Sequence, residues 1–185
     1  MEALGRLRRQ VPPPMVVHEP PDAEGWPAVE RELGCGLPRD YKELIAAYGS
    51  GWFGGFLAVF NPAAQGAALR IQGGGMDQLA LLRENRELDP DEPMPYGIYP
   101  EVDGLLTWGT TINGDSGYWL TRPREDPDAW TTVVGEVRGP GWYPYPGSLS
   151  AMLADLTDPA TFRDVAASSI LPAEWASRSP AFERL

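Results

Sequence analysis

Residues able to do chemistry are few in this chain. It holds one histidine, His18, and one cysteine, Cys35, within 185 residues. A zinc site needs about three or four converging Cys, His or carboxylate ligands, so a thiolate or imidazole cluster lacks its parts. Gly114-Asp115-Ser116-Gly117 has the form of the nucleophile segment of chymotrypsin-like proteases, where serine needs a histidine base held by a buried aspartate. His18 lies far upstream in a proline-rich stretch, and Tyr118 stands where that segment continues with glycine. A hairpin loop is the better account. Gly49-Ser50-Gly51-Trp52-Phe53-Gly54 fits G-x-G-x-x-G, but a dinucleotide site needs those glycines to leave a strand and open a helix. Here they follow a helical pattern and precede a strand-like one, with Trp52 and Phe53 where a cofactor would need room, so the segment reads as a sharp bend. The acidic stretch Glu84, Glu87, Asp89, Asp91, Glu92 is broken by Pro90 and lacks the regular spacing of a calcium loop. No catalytic residue, cofactor or metal ligand is assigned, and the expectation is a protein that is not an enzyme.

Composition narrows the partners. The 26 acidic against 15 basic residues give a net charge of −11, which repels phosphate backbones and anionic lipid heads and favours encounter with a basic protein. Nucleic acid and membranes are therefore not expected as partners, although such a charge also serves solubility alone. A lone cysteine and no apolar stretch of signal-peptide or membrane-span length lead to the expectation of a cytoplasmic protein, with a monomer favoured.

The elements that must position any site are short, because 20 Pro and 21 Gly punctuate the apolar runs. Residues 1–21 combine arginines with Pro12 to Pro14, Pro20 and Pro21, which suggests a flexible extended arm. Trp26, Val29 and Leu33 recur at helical spacing before Gly34, and Leu37, Tyr41, Leu44, Ile45 and Tyr48 share the face of a second helix that Gly49 can end. Phe56 to Phe60 reads as a buried strand, and a helix follows Gly75 with Asp77 as its N-cap. Between Leu105 and Tyr145, runs rich in Thr, Val, Trp and Tyr predict a β-meander, with strands at Leu105 to Thr111, Tyr118 to Thr121, Trp130 to Val137 and Trp142 to Tyr145. Ser148 then caps a helix carrying Leu149, Met152, Leu153 and Leu156.

Taken in order, W-x-x-V-E-x-E-L-G-x-x-L-P-x-D-Y-K-x-L-I-x-x-Y-G from Trp26 to Gly49, then Leu106, Trp108, Gly109, Asn113, Gly114, Asp115, Tyr118-Trp119, Trp130 and the Ser148 to Leu153 helix, this chain resembles the SUKH superfamily of Smi/Knr-like proteins. The likeness spans roughly residues 24 to 157. It implies an α+β fold in which helices pack on a curved, mainly antiparallel sheet. The domain is placed at 22–157, followed by a 158–185 extension that is helical or packed on it. It also implies a binding role, since bacterial members look like immunity proteins of polymorphic and contact-dependent toxin systems. The expected partner is a cognate toxin or another protein of basic character, a nuclease being one target class. A regulatory scaffold without a toxin and a hydrolase built on a carboxylate pair are the alternatives. The family brings no catalytic residues, and its matched positions Trp26, Tyr41, Trp108 and Trp130 read as packing.

Candidate contacts to a basic partner are the acidic residues Glu84, Glu87, Asp89, Asp91 and Glu92, then Asp115, Glu125, Asp126 and Asp128. Trp52 and Trp142 are candidate aromatic anchors. For each carboxylate the competing account is plain solvation.

Overall fold

Apolar runs bounded by glycine and proline give short elements, and the computed structural model assembles them around one sheet; it describes residues 2–92, 94–137, 139–172, 175 and 181–184. The sheet pairs β1 (Gly51–Phe53), β2 (Leu57–Val59), β3 (Leu105–Thr111), β4 (Ser116–Leu120), β5 (Thr131–Gly135), β6 (Trp142–Tyr145) and β7 (Phe182–Arg184). Its order is β6-β5-β4-β3-β2-β1-β7, and every neighbouring pair is antiparallel. The helices are α1 (Glu2–Gln10), α2 (Trp26–Leu33), α3 (Arg39–Tyr48), α4 (Met76–Leu88) and α5 (Leu149–Thr157). This is a single compact α+β domain.

Strand residues point alternately to opposite faces, and the register sorts them. Leu106, Trp119, Thr132 and Tyr145 lie side by side across β3 to β6 and face α3 and α5. There the Trp119 ring meets Tyr41 edge-on at 5.0 Å, and the Tyr145 hydroxyl donates to Asp155 of α5 at 2.5 Å. On the opposite face, Thr107 Oγ1 donates to the Gly75 carbonyl and Ser116 Oγ to Gln78 Oε1. That face is covered by α4 and the π-helical turn Ile71–Gly75 that leads into it. Tyr41, Trp108 and Trp130 are buried, as a packing role requires, whereas Trp26 is only half-buried. The α2 and α3 helices are tied by a Lys42–Glu30 ion pair at 2.5 Å and by Trp26 set edge-on to Tyr41.

Several expectations need correction. Residues 1–21 do not form an extended arm throughout: Glu2–Gln10 is helical, and Leu4, Leu7 and Val11 are buried against the domain. Arg6 pairs with Asp155 at 2.5 Å, Gln10 donates to Asp158, and Tyr48 donates its hydroxyl to the Val11 carbonyl. Leu4, Leu7 and Val11 recur at helical spacing, a periodicity that outweighs the prolines following it. Met15 and Val16 are exposed, and beyond them the chain is tied back to the domain, the Ser50 amide donating to the His18 carbonyl and Asn61 to the Glu19 carbonyl. Asp77 is not a cap; Gly75 holds that position and Asp77 lies in the first turn of α4. The bend at Gly49 to Gly54 contains β1, and the positive φ angles of Gly54 and Gly55 turn it into β2. In the extension, Phe162, Val165, Leu171 and Trp175 are buried, and Trp175 Nε1 donates to the Leu156 carbonyl at 2.6 Å. No helix among the described residues is long and apolar enough to cross a membrane.

Candidate partner-binding groove

The α4 helix seats Leu79 fully and Leu82 partly against the sheet. Beyond Leu88 the chain turns back through Asp89 to Glu92, where the Glu92 amide donates to the Asp89 carbonyl at 3.2 Å, and it returns over the sheet with Met94 and Tyr96. The β5–β6 hairpin rises on the opposite bank, its ends held by the Glu136 amide on the Gly141 carbonyl at 3.0 Å. Between the two banks lies a groove of about 260 Å³. Leu82, Met94 and Trp142 supply its apolar lining, and Asp89, Glu92 and Glu136 its carboxylates.

Trp142 is fixed from several sides. Its ring meets Tyr96 edge-on at 5.6 Å and tilts against Tyr118 at 6.0 Å. It also lies over Gly135, where an added Cβ would come within 2.9 Å of the indole and 3.2 Å of Tyr118. Glycine is needed there for close approach, and any side chain would lift Trp142 from the sheet. The indole is thus ordered before any partner arrives, which lowers the entropic cost of binding.

Charge in the groove is unevenly matched. Arg86 lines it, but its guanidinium donates to both Glu101 oxygens, at 3.1 and 2.7 Å. Those bonds, with the Ile98 amide, hold the Glu101 carboxyl down at about 2. Arg83 donates to the Tyr99 carbonyl. Among the described residues no ion pair reaches Asp89, Glu92 or Glu136.

The Arg86–Glu101 pair gives a prediction of its own. A carboxyl whose pKa is depressed on folding contributes stability above its unfolded value of 4.5, and that contribution fades as pH falls towards about 2. Both side chains are more than a third exposed, so solvent screening keeps the effect below about 1 kcal/mol. Denaturation of Arg86→Met beside the native chain should show a gap at neutral pH that closes between pH 4.5 and about 2. A gap constant over that window would place the loss in packing of the arginine stem.

The remaining sequence candidates are scattered. Glu84, Glu87 and Asp91 are exposed on or after α4 but do not line the groove. Glu125 and Asp126 are exposed in the β4–β5 connection. Asp128 accepts from the Arg39 amide and guanidinium, at 2.6 and 2.9 Å, beside a separate polar depression formed with Asp40, Glu43 and Ser148. Trp52, half-buried in β1, sits towards the opposite end of the sheet from Trp142. Asp115 is not an exposed contact. It is 4% exposed, and its carboxylate accepts from Thr111 Oγ1 at 2.8 Å and from the Val137 amide at 3.1 Å, tying the β3–β4 loop to the β5–β6 hairpin. The fold therefore gathers Asp89, Glu92 and Trp142 and adds Glu136, which sequence reasoning missed. Its one sequence signal is position: Glu136 lies near the end of the strand-like run Trp130 to Val137, just before a glycine-rich turn.

Neither enzyme-like motif takes the corresponding geometry. The Ser116 hydroxyl donates to Gln78, while His18 pairs its backbone with Gly49 and has its ring 3.8 Å from Glu19. In Gly49 to Gly54, the Ser50 and Gly54 amides already donate to the His18 and Ala181 carbonyls. The described residues contain no group of three or more His, Cys, Asp or Glu placed to hold a metal ion. Compared with models of known protein families, with curated proteins and with solved structures, the chain finds no match.

Proposed function

We propose that this protein is a non-enzymatic binding protein of the immunity type, which neutralises a cognate toxin domain by docking on it through the groove between α4 and the β5–β6 hairpin. The observation that carries the proposal is the placement of Asp89, Glu92 and Glu136 around a pre-ordered Trp142. A rigid aromatic anchor within a rim of carboxylates is a recognition surface for a basic protein. The net charge of −11 would speed encounter with such a partner, and a cationic nuclease is the target class this favours, because carboxylates can occupy the space that the phosphates of its substrate need. The resemblance of the Trp26 to Gly49 segment to SUKH proteins supports the same reading.

Co-expression with toxin candidates encoded beside this reading frame tests it. Growth should be rescued by the native chain and lost with the triple variant Asp89→Asn, Glu92→Gln, Glu136→Gln. The purified pair should associate roughly tenfold or more slowly in that variant at low salt, with the difference shrinking as salt rises. Rescue that survives the triple variant would move the interface elsewhere. Tight binding without rescue would instead make the chain a regulatory scaffold.

A further inference from the structure

We propose that the groove is a socket for one arginine side chain of the partner, its guanidinium lying against Trp142 and bonded by Glu136 and by Asp89 or Glu92. The inference rests on the binding role proposed above and goes further by naming the chemical group recognised. Three features of the groove carry it. Trp142 is locked in place by Tyr96, Tyr118 and the bare backbone at Gly135. Carboxylates stand on both banks, Glu136 on the hairpin and Asp89 and Glu92 after α4. The arginine already at the groove, Arg86, is turned to Glu101 by two hydrogen bonds, and among the described residues no ion pair reaches those carboxylates.

Arginine fits this combination better than lysine. Its planar, weakly hydrated guanidinium can stack on an indole while its edge donates to carboxylates in a fork. A lysine ammonium is a compact, strongly hydrated point charge and would have to shed more water to enter beside Leu82 and Met94. A volume of about 260 Å³ suits one side chain rather than a folded segment, and the exposed Val137 at its edge offers the following residue an apolar contact. The socket recognises charge plus a flat face, so an uncharged group of the same shape should not be held.

The test uses the full-length protein and three capped tripeptides, Gly-Arg-Gly, Gly-Lys-Gly and Gly-citrulline-Gly, followed by the Trp142 indole N–H resonance. That resonance is assigned by its loss in Trp142→Phe. Titrations are run in the native chain and in Arg138→Ala, so that the chain's own Arg138, next after Val137 in sequence, does not compete unnoticed. The arginine peptide should shift the resonance saturably in at least one background, on the order of fivefold more tightly than the lysine peptide. The citrulline peptide should leave it unmoved, and Glu136→Gln should weaken arginine binding several-fold while the other indole resonances stay in place. Equal responses to arginine and lysine, a response to citrulline, or no arginine response in either background would overturn the socket. If the socket fails while the triple carboxylate variant still abolishes rescue, the binding role stands without it. If arginine binds but no neighbouring toxin is neutralised, the socket stands and the immunity role falls.

Discussion

Trp119→Ala is expected to lower stability by about 3–5 kcal/mol, the usual cost of deleting a buried large aromatic side chain. Trp119 is 1% exposed, meets Tyr41 of α3 edge-on at 5.0 Å and lies 6.3 Å from Trp130. It therefore seats the helical layer on the sheet, and alanine would leave a void bordered by rings fixed to other elements, which can collapse only in part. Against a total stability of roughly 5–15 kcal/mol for a domain, that loss is large. Urea denaturation should show the midpoint falling with little change in slope. Tyr41→Phe should cost less, on the order of 1–2 kcal/mol, because it removes only the 2.6 Å hydrogen bond to the Phe60 carbonyl. A Trp119→Ala loss no greater than that of Trp52→Ala, at a half-buried ring in β1, would mean the helices do not rest on this side chain.

Leu7→Ala is expected to cost about 2–5 kcal/mol, the range for a fully buried leucine. Leu7 has no exposed surface and lies between Leu4 and Val11 on the face of α1 turned to α5. Met15→Ala is the control. Met15 is fully exposed eight residues further on, so its truncation should stay within roughly 0.5 kcal/mol. Similar midpoints for the two variants would show that α1 does not contribute to the folded domain. Arg6→Ala should add a smaller loss, since the Arg6 side chain is 37% exposed in its pair with Asp155.

The elements were legible where a single periodicity ruled. Leu37, Tyr41, Leu44, Ile45 and Tyr48 are all buried on α3 or at its start, and Trp142–Tyr145 is β6 with the bounds its composition suggested. Legibility ended where pairing is distant. β1 is a three-residue strand inside a glycine-rich turn, and its partner β7 lies at the far end of the sequence; no local pattern announces such a pair. The α1 helix was obscured for a different reason, the proline cluster after it dominating the composition of its neighbourhood. Asp115 looked like a solvent-facing loop carboxylate because the groups that donate to it, the Thr111 hydroxyl and the Val137 amide, come together only across two hairpins. The groove was half legible. An acidic stretch and an aromatic at a strand start are visible in one dimension, but that Asp89, Glu92 and Trp142 share one hollow with Glu136 follows from α4 lying over β3 and β4 and the chain after it returning past Trp142 with Tyr96.

The late arrival of β7 also bears on how the chain is made. During synthesis the ribosome delivers β1 and β2 early and the remainder of the meander next, while β1 keeps one side open until Phe182–Arg184 emerges. For that interval the nascent sheet presents a strand edge next to Phe53 and the still uncovered Tyr48 ring, both of which Phe182 later contacts. Such an edge is a template for mispairing with another chain. Translation pauses or premature termination before Phe182 should therefore send this protein to chaperones or into aggregates far more than comparable shortening of the loop from Pro12 to Val16, whose Met15 and Val16 are exposed.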